Sequence, residues 1–113
     1  MNTVKDILKN FSQKNDLWNL TKNRGIQCIE NYLEDNGDNI NTKSSNITLD
    51  DFVFFKRNQS VIVFPDSDNE GHLIIRTTYD LSLEKIKTFR SGYYSLDVDI
   101  EGNIIDDYLY LDF

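Results

Sequence analysis

Two segments of the chain share one spacing of groups that could hold a cation: Asp66-Ser67-Asp68-Asn69-Glu70-Gly71-His72-Leu73 and Asp97-Val98-Asp99-Ile100-Glu101-Gly102-Asn103-Ile104. Both read D-x-D-x-E-G-x-(L/I). These are the first eight positions of a calcium loop, where alternate carboxylates converge and Gly permits the sharp turn. The pattern then fails. The twelfth position, which should be a bidentate Glu, is Thr77 in one segment and Tyr108 in the other, and strand-like runs flank both. In the second segment the two-residue alternation is also the period of a pleated strand. Both segments are therefore expected to be hairpin turns with solvated carboxylates, and no metal or other cofactor is expected.

The remaining reactive groups are isolated. His72 is the single histidine, and neither Ser67 nor Glu70 has a spacing that would make it a catalytic partner. Asp106 and Asp107 would point to opposite faces of a strand and so cannot serve one acid–base site. Cys28, the only cysteine, sits in an apolar-periodic stretch with Arg24 as its one nearby base, which favours buried packing over a reactive thiol. Trp18 reads as a core anchor. No catalytic residue is expected, and the chain is not expected to be an enzyme.

What positions these groups is a change of period along the chain. Val4, Ile7, Leu8 and Phe11 step as one face of a helix, with Thr3 or Asn2 placed as cap. A second helical pattern runs from about 16 to 35, weakened at Gly25, and Asn36-Gly37 supplies a stop. Residues 36–50 read as a polar loop. Strand patterns follow at 52–56 and 61–64, separated by a hairpin-like Arg57-Asn58-Gln59-Ser60, then at 73–79, 93–100 and 104–111. Residues 82–89 fit either a strand or a short helix, with the helix favoured. A single α+β domain over 1–113 is expected: a helical part at 1–35, then N-terminal helices packed on an antiparallel sheet of about five strands in 51–113.

Charge and alternation together describe a surface. The formal charge is -7, and the last 22 residues hold six acids and no base, whereas residues 1–31 hold five bases and three acids. Lys5, Lys9, Lys14, Lys22 and Arg24 read as a solvated helix face. In 93–100 the alternation puts Tyr94, Leu96, Val98 and Ile100 on one face and Tyr93, Ser95, Asp97 and Asp99 on the other. In 104–111 it puts Ile105, Leu109 and Leu111 opposite Asp106, Tyr108 and Tyr110. An acidic, tyrosine-rich solvent face follows, which favours a basic protein partner and disfavours direct contact with nucleic acid. No run approaches the length of a membrane span, no secretory signal is readable, and one cysteine suits a reducing, cytoplasmic setting.

In size, charge and architecture the chain resembles the immunity proteins of bacterial toxin–immunity pairs, including those of contact-dependent growth inhibition. The resemblance implies an inhibitor, monomeric when free, that binds a cognate basic toxin such as a nuclease. The partner-binding candidates are Asp97, Asp99, Glu101, Asp106, Tyr93, Tyr108 and Tyr110. A small-molecule-binding or catalytic domain, or an acidic mimic of nucleic acid aimed at a defence enzyme, are the alternatives, although twelve Lys and Arg residues count against the mimic.

Overall fold

Thr3 opens the first helix as its residue type predicts. Its hydroxyl accepts from the Asp6 amide at 3.1 Å, and the Asp6 carboxylate accepts from the Thr3 amide at 3.4 Å, a reciprocal cap for α1 (Val4–Asn15). Asp16 ends α1 in the left-handed conformation (φ 51°, ψ 48°), which Asp tolerates better than most residues. Its carbonyl accepts from the Leu20 amide at 2.9 Å, so the same residue starts α2 (Leu17–Asn41). The computed structural model describes residues 3–41, 47–64, 72–83 and 91–112.

Neither the weakening at Gly25 nor the stop at Asn36-Gly37 interrupts α2. The helix runs unbroken through Gly25, because the missing Cβ is a packing requirement: a Cβ there would lie 2.9 Å from Tyr94 Cδ2 and 3.2 Å from Phe54 Cε2. It also passes through Asn36-Gly37 to Asn41. A helical Gly costs only about 1 kcal/mol against Ala and forces no stop. The helical part therefore extends to 41 rather than 35, and the expected loop gives up its first six residues. The chain next forms a short 3₁₀ turn (Leu49–Asp51), where the Asp51 carboxylate accepts from the Thr48 amide at 2.8 Å.

Four antiparallel strands follow in the order β1-β2-β3-β4: β1 (Phe52–Phe64), β2 (His72–Leu83), β3 (Ser91–Val98) and β4 (Ile104–Asp112). The fold is α+β, with one strand fewer among the described residues than expected. The two strands expected at 52–56 and 61–64 are one, and Arg57-Asn58-Gln59-Ser60 is not a hairpin but carries a shift of register between Lys56 and Asn58. That tetrapeptide has neither Gly nor Pro, so nothing in it obliges a reversal. Its polar Gln59 is satisfied between sheet and helix, donating to Ser12 of α1 at 2.7 Å and to Thr77 of β2 at 3.1 Å. At the end of β2, Leu81 and Leu83 are both buried in the core, so residues 82–83 are strand rather than helix. The rest of the ambiguous stretch lies outside the described residues.

One face of the sheet carries the core. Leu17 and Ile29 of α2 pack with Phe52, Ile75, Leu81, Tyr94, Leu96 and Val98. Trp18 meets Tyr79 edge-on at 5.2 Å and accepts that tyrosine's hydroxyl on its carbonyl at 2.9 Å, which ties α2 to β2. Ile100 departs from its expected place in this core. It belongs to the β3–β4 turn and is 61% exposed. Ile105 departs too, because β4 shifts register where Asp97 pairs with Asp106 and Val98 with Ile104. No helix among the described residues is long and apolar enough to cross a membrane.

Candidate functional site

The face of the sheet opposite the helices is built from three cross-strand rows. Strand register places Asp80, Tyr93 and Tyr110 in the first, Thr78, Ser95 and Tyr108 in the second, and Arg76, Asp97 and Asp106 in the third. In the first row Tyr93 and Tyr110 stack with ring centroids 5.5 Å apart and planes at 30°. Arg57 lies over Tyr93 at 5.6 Å and pairs with Asp80 at 2.5 Å. In the second, the Thr78 and Ser95 hydroxyls are hydrogen-bonded at 2.7 Å. In the third, Arg76 grips Asp97 with two parallel bonds, Nε to Oδ1 at 2.7 Å and Nη2 to Oδ2 at 2.9 Å. The Arg76 guanidinium also sits 5.0 Å from the centre of the Tyr108 ring, a cation–π contact.

Asp97 is therefore not the solvated carboxylate that its alternation predicted. It is 2% exposed, roofed by the neighbouring Arg76, and its charge is spent inside the sheet. The Asp97 contact in turn raises the Arg76 pKa. Asp80 is likewise paired, with Arg57. Arg57 and Arg76 are the members that sequence reasoning missed. Arg57 was hidden by the hairpin reading, and Arg76 would have emerged only from the register that sets it opposite Asp97. The result is a mosaic of Arg, Tyr and Asp rather than an acidic stripe.

The other expected residues divide between two places. Tyr93, Tyr108, Tyr110 and Asp106 share this face with Asp97. Tyr108 and Tyr110 are 41% and 47% exposed, and the Asp106 carboxylate, which accepts from the Tyr108 phenol, pushes that phenol up. Asp99 and Glu101 lie instead in the β3–β4 turn. There the Asp99 carboxylate turns inward, accepting from the Glu101 and Asn103 amides at 2.9 Å each, and these bonds hold it below the usual carboxylate range, Asn103 foremost. Asp97 and Asp99 thus do not converge on a common point. The first D-x-D-x-E-G segment, at 66–71, lies outside the described residues. Among the described residues, no three His, Cys, Asp or Glu are grouped to hold a metal ion.

Asp107 points the other way from Asp106 and accepts from the Tyr94 hydroxyl at 2.7 Å on the helix side. Burial first, and this bond second, drive the Tyr94 phenol far above its ordinary value. Cys28, half-buried against the core, is pushed up by burial and by Asp107 against the opposing pull of Arg24, so its thiol is held in the unreactive form. His72 is the first residue of β2. Lys5, Lys9, Lys14, Lys22 and Arg24 are exposed on the helices, with Lys22 reaching over the Phe54 ring at 5.9 Å. In comparisons with known proteins, the chain matches no family model, no curated protein and no solved structure.

Proposed function

We propose that this chain is a bacterial, cytoplasmic protein-binding inhibitor of the immunity type, which acts by docking rather than by catalysis. Its docking surface is the Tyr93–Tyr108–Tyr110 face. The observation that carries the reading is the ordering of this face before any partner arrives: Tyr93 is stacked on Tyr110, and Tyr108 is clamped over Arg76. Tyr and Arg are the residues that dominate binding energy at protein interfaces, and holding them in place beforehand removes part of the entropy cost of association. Asp106 on the face, with Asp99 and Glu101 at the end of the sheet, supplies the charge that draws a basic toxin domain such as a nuclease.

The test is binding kinetics against the product of the neighbouring gene, which this reading expects to be a toxin domain. Tyr110→Ala and Tyr108→Ala are expected to speed dissociation by at least about tenfold with little change in association, as loss of a central anchor does. Asp99→Asn combined with Glu101→Gln is expected to slow association, and less so as salt rises. Unchanged kinetics in the tyrosine variants, with binding lost on replacing Lys5, Lys9 and Lys22, would place the partner on the helical side and refute this docking surface.

A further inference from the structure

A second surface lies on the helix side, away from the tyrosine face. The α1 stripe and one end of the sheet enclose a groove of about 310 Å³ lined only by apolar residues: Val4, Ile7, Leu8 and Phe11 of α1, and Val61, Leu73, Ile75 and Ile100 beyond them. Ile75 is its buried floor, whereas Val4 and Ile7 stand 73% and 57% exposed on the rim, facing an equally exposed Ile100. Val4 and Ile7 belong to the stripe that should be buried by helix periodicity, and the chain's own sheet leaves them uncovered. Val63, 63% exposed, pairs with Leu73 beside the groove and extends its apolar rim.

We infer that this groove is the interface of a twofold homodimer, in which the Val4–Ile7 ridge of each copy enters the groove of the other. An isologous contact requires a patch complementary to itself, and here an apolar ridge and an apolar groove of the same make lie side by side. A standard interface takes roughly 800 Å² from each partner, and the groove with its exposed apolar rim supplies the apolar centre that homodimer interfaces have. Charge permits the pairing despite the formal -7 of each copy. The α1 side carries exposed Lys5 and Lys9, and the turn beside Ile100 carries Asp99 and Glu101. Crossing α1 of one copy over the other's turn sets bases against acids. The dimer leaves the tyrosine face of both copies open but engages the turn acids Asp99 and Glu101, so it would compete with the charge attraction of the proposed inhibitor role while not depending on that role.

Sedimentation equilibrium of the full chain from about 1 µM to about 200 µM brackets a modest interface of this size. The expected result is a reversible shift from 13.2 kDa to twice that mass. Ile7→Glu and, independently, Ile100→Lys should each weaken dimerisation at least tenfold. Both positions are solvent-exposed, so circular dichroism should stay as in wild type, and so should the unfolding midpoint measured at concentrations where wild type is monomeric. Tyr110→Ala should dimerise normally. A wild-type chain that stays at 13.2 kDa throughout, including one that co-purifies with an aliphatic molecule in the groove or binds only a foreign apolar helix there, overturns the inference. So does a dimer that survives both groove substitutions.

Discussion

Replacing Asp97 with Asn separates a carboxylate that holds the sheet together from one that merely decorates it. The side chain keeps its shape but loses its charge, and its new NH₂ group is turned towards an Arg76 nitrogen that has only donors to offer. Removing one partner of a fully buried ion pair costs about 3–5 kcal/mol. Arg76 keeps a third of its side chain in water, so part of its charge can be solvated again, and about 2–3 kcal/mol is the expected loss. At about 2.1 cal/mol/K of unfolding entropy per residue, that lowers the melting temperature of a 113-residue chain by roughly 10 °C. Asp80→Asn is the matched control. It breaks the Arg57 pair, whose side chains are 48% and 43% exposed, and should cost under about 1 kcal/mol, or less than about 4 °C. Urea titrations followed by circular dichroism measure both, and unchanged m-values would show that the folded and denatured states are comparable. If Asp97→Asn is no more costly than Asp80→Asn, the buried pair is not a structural element and the rigid tyrosine face loses its support.

Gly25→Ala tests whether the glycine is a contact or a flaw. In an exposed helix the change gains about 1 kcal/mol, whereas here the new methyl meets Tyr94 at 2.9 Å and overpacking of about 1–3 kcal/mol should leave the variant less stable in urea. Tyr94 governs alkaline behaviour: its folded pKa is raised, so the stability it contributes is complete below the ordinary phenol value of about 10 and is lost as pH climbs above that towards the folded value. Unfolding free energy should therefore fall as pH rises above about 10, and fall less steeply in Tyr94→Phe. Equal slopes would show that Asp107 and burial do not hold the phenol proton.

The elements that the sequence made legible are those whose signals are local. Thr3 and Asp6 are three residues apart and form the cap that their types announce. Leu96 and Val98 enter the core as alternation requires. Three other signals were real but were settled by residues far away in sequence. Gly25 is explained by Tyr94, almost 70 positions on. The polar Arg57-to-Ser60 stretch stays in β1 because Gln59 finds Ser12 and Thr77. Val4 and Ile7 have the right period for burial, but no strand among the described residues covers them.

Asp97 shows why the site was harder to see than the fold. Alternation decides which face a side chain leaves from, and that part was correct: Tyr93, Asp97, Asp106, Tyr108 and Tyr110 do share a face. Whether a face is wet depends on what its neighbours can reach over. A strand residue with Arg directly across on one side and Tyr on the diagonal of the other is roofed by long side chains without any helix or loop being laid on the sheet. Arg76 and Tyr108 do this above Asp97. The same contacts convert an acidic pattern into a nearly balanced one, so under the proposed function attraction for a basic partner is left to Asp106 and the turn acids. Lifetime of a complex would then rest on the stacked tyrosines. That division predicts that salt should change how fast a partner arrives far more than how slowly it leaves.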